Sequence, residues 1–287
     1  SFLYFFSLLT AYFILRPIRD AMGIASGVDF LPWLFSATFV VMLVVMPVYG
    51  ALVSRFPRRK FIPYVYLFFI LNLLLFWYFF AYNIRMDIVA QIFFVWLSVF
   101  NVFVVSIFWS FMVDIYKSDD SKALFGLIAS GGTIGGIAGP SIVTLFTETI
   151  GTESLLLISA AILLFAIFCV FKLVALRKEK IGNTDEINET ENKAGAIGGG
   201  VWAGVIEVLK SRYLVGISAL VFLLSLTATF AYFQQGSLIY EAYPQTDERV
   251  QVFGQIDLYV SMIALVFQVF VAGPVLSSFG VKGGIII

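Results

Sequence analysis

Histidine is absent, and cysteine occurs once, at Cys169. Without imidazole the chain lacks the usual proton shuttle near neutral pH and the ligand on which many metal sites depend. The lone thiol lies inside an apolar run, so no disulfide can close within the chain. Charge is scarce as well: Asp, Glu, Lys and Arg make up 13% of the residues, and the formal net charge is zero. A chain with no basic surplus offers no electrostatic footprint for nucleic acid. No nucleophile–base pair and no metal-ligand cluster can be picked out, so neither an enzyme nor a cofactor is expected. The glycine cluster at 195–200 lacks the Gly-Lys-Ser/Thr ending of a phosphate loop and reads as linker. No cleavable signal peptide is recognisable in a chain that opens without an initiator Met.

What fills the chain is apolar. Apolar residues are 61% of it and the mean hydropathy is +0.98. A soluble domain is about half apolar, so the pattern predicts an all-α polytopic membrane protein. Eight runs are long enough to span as helices and too long for porin strands. They cover 2–24, 31–52, 61–82, 88–113, 123–146, 155–176, 214–235 and 253–276. A ninth run begins at Ile285, where the sequence stops, which predicts a piece of a longer protein.

Basic residues alternate between the loops. One set holds Arg55, Arg58, Arg59, Lys60, Lys117 and Lys122, the basic residues of 172–212, and Lys282; the other holds only Arg85 and Arg249. By the positive-inside rule the first set is cytoplasmic, together with the N-terminus. The expected setting is a cell membrane, the inner one of a bacterium. The polar stretch 177–212 reads as a cytoplasmic linker. Six spans (1–176), that linker, then further spans (213–287) form the layout of a transporter built from two six-helix halves.

The first span carries YFILRPIRDAMGI, with Arg16, Arg19 and Asp20 inside an otherwise apolar helix. At the bilayer centre each arginine costs about 3 kcal/mol on insertion scales. Two placements relieve that cost. The charges face a wet cavity, or they snorkel to the headgroups. Helical spacing puts Tyr12, Arg16, Arg19 and Gly23 on one face, and sets Asp20 one turn from Arg16, where it can partly neutralise it. Pro17, between the arginines, predicts a bent, cavity-lining segment. Guanidinium stays charged on burial and grips phosphate or carboxylate bidentately, so the cavity placement predicts an anionic solute. Asp257, in the eighth span, either pairs with these arginines or counters a cation, or else lies solvated near the outer end. Asn101 and Gln235 are further candidates for the cavity wall.

The loop after the second span reads Gly50-Ala-Leu-Val-Ser54-Arg55-Phe-Pro-Arg58-Arg59-Lys60. It resembles the G-x-x-x-D-R-x-G-R-R loop of the major facilitator superfamily, with Gly50, Arg55, Arg58 and Arg59 in matching places. Ser54 stands for the aspartate and Pro57 for the second glycine. In that family the loop latches neighbouring helices. Across the next such loop Asp114 and Lys122 could pair. The fifth span repeats glycine at Gly131, Gly135 and Gly139, a spacing that lets helices approach closely, and Pro140 predicts a bend there. Static packing and flexing during transport are both open to this stripe.

LRPIRDAMG, FWSFMVD with the SKALFG that follows it, and the glycine-rich fifth span together resemble the nucleotide (ATP/ADP) translocases of intracellular bacteria and plastids, and their bacterial major-facilitator-like relatives. The translocases tend to have lysine and threonine where this chain has Arg19 and Pro17. The resemblance implies nucleotide exchange, with Arg16 and Arg19 engaging phosphates. The reading is thus an alternating-access transporter, monomeric in the bilayer, with a small anion as its partner. A proton-coupled carrier of another solute and a transport-inactive scaffold are the alternatives.

Overall fold

The computed structural model describes residues 1–55, 58–116, 121–181, 208–268 and 270. The described residues form seven long helices, each long and apolar enough to cross a membrane. They are α1 (Phe2–Ala25), α2 (Leu31–Arg55), α3 (Arg58–Ala81), α4 (Met86–Ile115), α5 (Ser121–Ile181), α6 (Arg212–Ala242) and α7 (Thr246–Phe267).

The fifth and sixth expected spans fall within the single element α5. Its 61 residues would measure about 90 Å if straight, some three times a bilayer core. Gly151, at φ 79° and ψ 159°, breaks it. The packing against α1 shows that the two arms run back along each other. Gly139 of the first arm lies against Thr10, and Ser159 of the second donates to the Ala11 carbonyl, at nearly one depth of α1. The turn is therefore at a glycine in the left-handed region. Pro140 sits inside the first arm with helical backbone, and the one non-helical residue of α5 is Gly151, in the interval expected between the fifth and sixth spans. Pro17 likewise lies within an unbroken α1.

The eighth span begins at Thr246, one and a half to two turns before the apolar run on which the sequence reading rested. Gln245 and Glu248 form a capping box, and Asp247 and Glu248 place negative charge at the helix N-terminus. Polar residues thus start this helix rather than precede it. Arg249, read from sequence as a loop residue, is buried on α7; it donates to the Tyr243 and Tyr240 carbonyls and lies over the Tyr240 ring.

α1 is the axis of the fold. It packs on α4, α5, α6 and α7. Its contact with the first arm of α5 uses the glycine stripe. A Cβ added at Gly131 or Gly135 would fall 2.8 Å from the Phe2 or Phe6 carbonyl oxygen, and one at Gly139 would fall 2.6 Å from the Phe13 Cβ. Each step of four along α5 advances four along α1, so the two helices run parallel with their backbones nearly touching. Static packing is what this stripe does here. Near its start α1 is held by aromatic rings, with Phe5 stacked on Phe108 and Tyr4 hydrogen-bonded to Tyr66.

The later helices meet the earlier ones along half their length. Residues 212–228 of α6 are exposed on every side, whereas Tyr232, Phe233, Gly236 and Ile239 pack. On α7 Val250, Phe253, Gly254 and Asp257 are buried, and from Tyr259 onward the helix is largely exposed. The two sets of helices close at the Ile24 end of α1 and part toward its Phe2 end.

Candidate functional site

From Leu8 to Ile24, α1 is buried on all sides except one stripe. Leu9, Tyr12, Phe13, Arg16 and Arg19 are partly exposed, whereas every residue from Asp20 to Ile24 is buried. The stripe therefore ends blind at the closed end. The expected face of Tyr12, Arg16 and Arg19 is present, and Gly23 is the member that drops out, pressed against Phe94 and Leu31.

Two pairs of opposite charge sit on the blind end. Arg19 donates from Nε and Nη2 to Asp20 Oδ1, at 2.9 and 2.6 Å. Tyr232 of α6 donates its hydroxyl to the same oxygen at 2.9 Å. The Arg19 guanidinium also lies over the Phe94 ring of α4, 5.1 Å from its centroid. The second pair is looser. Arg16 Nη2 stands 3.5 Å from Asp257 Oδ1 on α7, and the Arg16 side chain is 37% exposed. Charge-assisted hydrogen bonds are normally 2.7–2.9 Å. Asp257 Oδ2 is buried and has no hydrogen-bond partner among the described residues.

This geometry bears on three points. Asp20 neutralises its neighbour Arg19 and not Arg16, because Tyr232 fixes the carboxylate and Arg19 reaches it with two donors. Asp257 is buried beside Arg16, not solvated at the outer end. The two positive charges are each matched by a carboxylate, so no surplus charge stands in the gap among the described residues. Both arginines turn inward to partners within the bundle, Arg16 to Asp257 of α7 and Arg19 to Asp20 and the Phe94 ring of α4.

A family model for the Major Facilitator Superfamily matches residues 1–287. The chain belongs to the Major Facilitator Superfamily. A search of curated proteins and a search of solved structures each give no match. As a member of this superfamily the chain is a multi-pass membrane transporter for a small solute.

Two other predicted wall residues of this transporter lie close by. Asn101 is half-buried, and it falls midway between Phe94 and Phe108, seven residues from each. Phe94 meets Arg19 and Phe108 meets Tyr4 and Phe5, so Asn101 shares the α1-facing side of α4. Gln235 is half-buried one turn from Tyr232. Of the residues read as gating, Gly131, Gly135 and Gly139 pack against α1 as described, and Pro140 is buried next in the chain. Gly50 meets open space on α2. The side chains of Arg55, Arg58, Arg59, Asp114 and Lys122 lie outside the described residues.

Sequence reasoning missed Tyr232 and Phe94. Both sit in expected spans, the seventh and the fourth, but nothing in spacing tells a ring that meets a charge from one that meets lipid. It also missed the contact at the closed end, where Thr152 beside the Gly151 turn donates to Asp247 and a Cβ at Gly254 would press on Val143. A separate hollow of about 770 Å³ lies between α2, α3 and α4. Valines and aromatic rings dominate its wall, and it holds none of the candidate solute-binding residues.

Proposed function

We propose that this transporter carries a small solute with an anionic group, seated between α1 on one side and α6 and α7 on the other. Arg16 takes the anion. Arg19, Asp20 and Tyr232 hold the blind end of the seat in shape, with Tyr12, Asn101 and Gln235 along its wall. Alternating access follows from the way the two sets of helices touch at one end only. If the basic loops are cytoplasmic, the open end faces the cytoplasm. One observation carries the reading: the Arg16 side chain is 37% exposed and meets its partner only at 3.5 Å, which leaves donors of its guanidinium open to a ligand.

A nucleotide exchanged for a nucleotide is the form of this reading that the family resemblance implies. The electrostatic ground for obligatory exchange is weak, because an empty seat already has each arginine matched by a carboxylate. Uptake of labelled ATP into proteoliposomes, with and without internal ADP, is the test. Uptake that quickens with internal ADP and is lost in Arg16→Ala supports nucleotide exchange. Equal rates reject obligatory exchange, and no uptake of ATP moves the solute to another organic anion.

The unpaired oxygen of Asp257 favours a second reading, a carrier driven by protons through that carboxylate. Collapse of uptake on adding a protonophore, together with its loss in Asp257→Asn, would support it. A scaffold that lost transport gains little from charges kept at such a depth.

A further inference from the structure

We infer that Asp257 is the seat of a cationic group, and that the transported solute is a small zwitterion rather than a polyanion. The inference rests on the reading of Arg16 as the anion seat and adds the other half of the ligand. Asp257 is 7% exposed. Among the described residues its Oδ1 has one long contact to Arg16 and its Oδ2 has no hydrogen-bond partner. An ionised carboxylate carries about four acceptor sites, and burying it with most of them empty is costly. Asp20 shows what a satisfied carboxylate looks like in the same place, with three donors on one oxygen.

The charge balance points the same way. Among the described residues the seat holds the guanidiniums of Arg16 and Arg19 against the carboxylates of Asp20 and Asp257. A solute bearing several negative charges would meet no positive surplus, and it would lie beside Asp257 with like charge in a poorly solvated gap. A zwitterion replaces the stretched pair by two good ones. Its carboxylate takes the free donors of Arg16, and its ammonium donates to Asp257 Oδ2. Because Arg16 and Asp257 stand 3.5 Å apart, the two groups of the solute belong close together on its skeleton, as in an α-amino acid.

The experiment is thermal-shift titration of the purified protein in detergent with a panel of α-amino acids. Each is paired with its N-acetyl form, which lacks the cation, and its methyl ester, which lacks the anion. ATP and ADP are run alongside. The expected result is that at least one intact amino acid raises Tm and that both derivatives bind it at least about tenfold more weakly. Asp257→Asn should erase the preference for the intact form over the N-acetyl form, and Asp257→Glu should keep it, which separates ligand reading from a folding defect. An N-acetyl form that binds as well as the intact one overturns the role of Asp257 and leaves Arg16 standing. A methyl ester that binds as well as the intact form removes Arg16 as the anion seat. A shift with ATP or ADP alone, or none across the panel, overturns the zwitterion.

Discussion

Two arginines three residues apart on one helix have opposite kinds of partner. Arg19 is locked to its neighbour Asp20, and Tyr232 seals the pair from across the gap. Arg16 reaches to a different helix and finds Asp257 at a distance that leaves both groups under-bonded. The first arrangement has the marks of structure: short bonds, a shared acceptor and little exposure. The second has the marks of a place held for something else. Charge inside a membrane is therefore not one signal. Its bonding decides whether it fixes the bundle or awaits a ligand.

The contrast can be broken from its strong side first. Asp20→Ala leaves Arg19 buried without a counter-charge, and breaking a buried pair from one side costs about 3–5 kcal/mol. The expected result is the largest fall in Tm of any change at the seat, read by thermal unfolding of the purified protein. Tyr232→Phe removes one hydrogen bond to a charged acceptor, worth about 1.5–3 kcal/mol, and should give an intermediate fall. Asp257→Asn is expected to change stability by less than about 1 kcal/mol, since the ion pair it removes is long and its Arg16 side is partly exposed, while transport is lost. A fall in Tm for Asp257→Asn as large as for Asp20→Ala would erase the distinction.

Much of this was legible in the sequence. Apolar runs located the helices, because backbone in lipid has to bond within its own segment. The glycine spacing announced a close helix contact, and α1 is the partner that fills it. The charged stretch from Tyr12 to Gly23 marked where the two ion pairs form. What stayed hidden depended on partners distant in the chain. Spacing alone allowed Asp20 to serve Arg16, one turn away, and only the arrival of Tyr232 from α6 decides for Arg19. Asp257 could be read as buried or solvated until the start of α7 was known. That start was misplaced because an amphipathic first turn with its own capping box looks, residue by residue, like a loop. The break at Gly151 falls in the interval 147–154 that separates the fifth and sixth expected spans, so the turn was legible although the glycine that makes it was not named.

The central claim is that Arg16 lies in a water-reachable gap while Asp20, one turn on, does not. Cys169→Ser removes the only native thiol, and Arg16→Cys or Asp20→Cys then places a single reporter. The measurement is the rate of labelling in membranes opened to both sides by a membrane-impermeant, negatively charged thiol reagent. The account expects rapid labelling at position 16 and little at 20. No labelling at 16 by this reagent, with ready labelling there by a lipid-soluble maleimide, would contradict it.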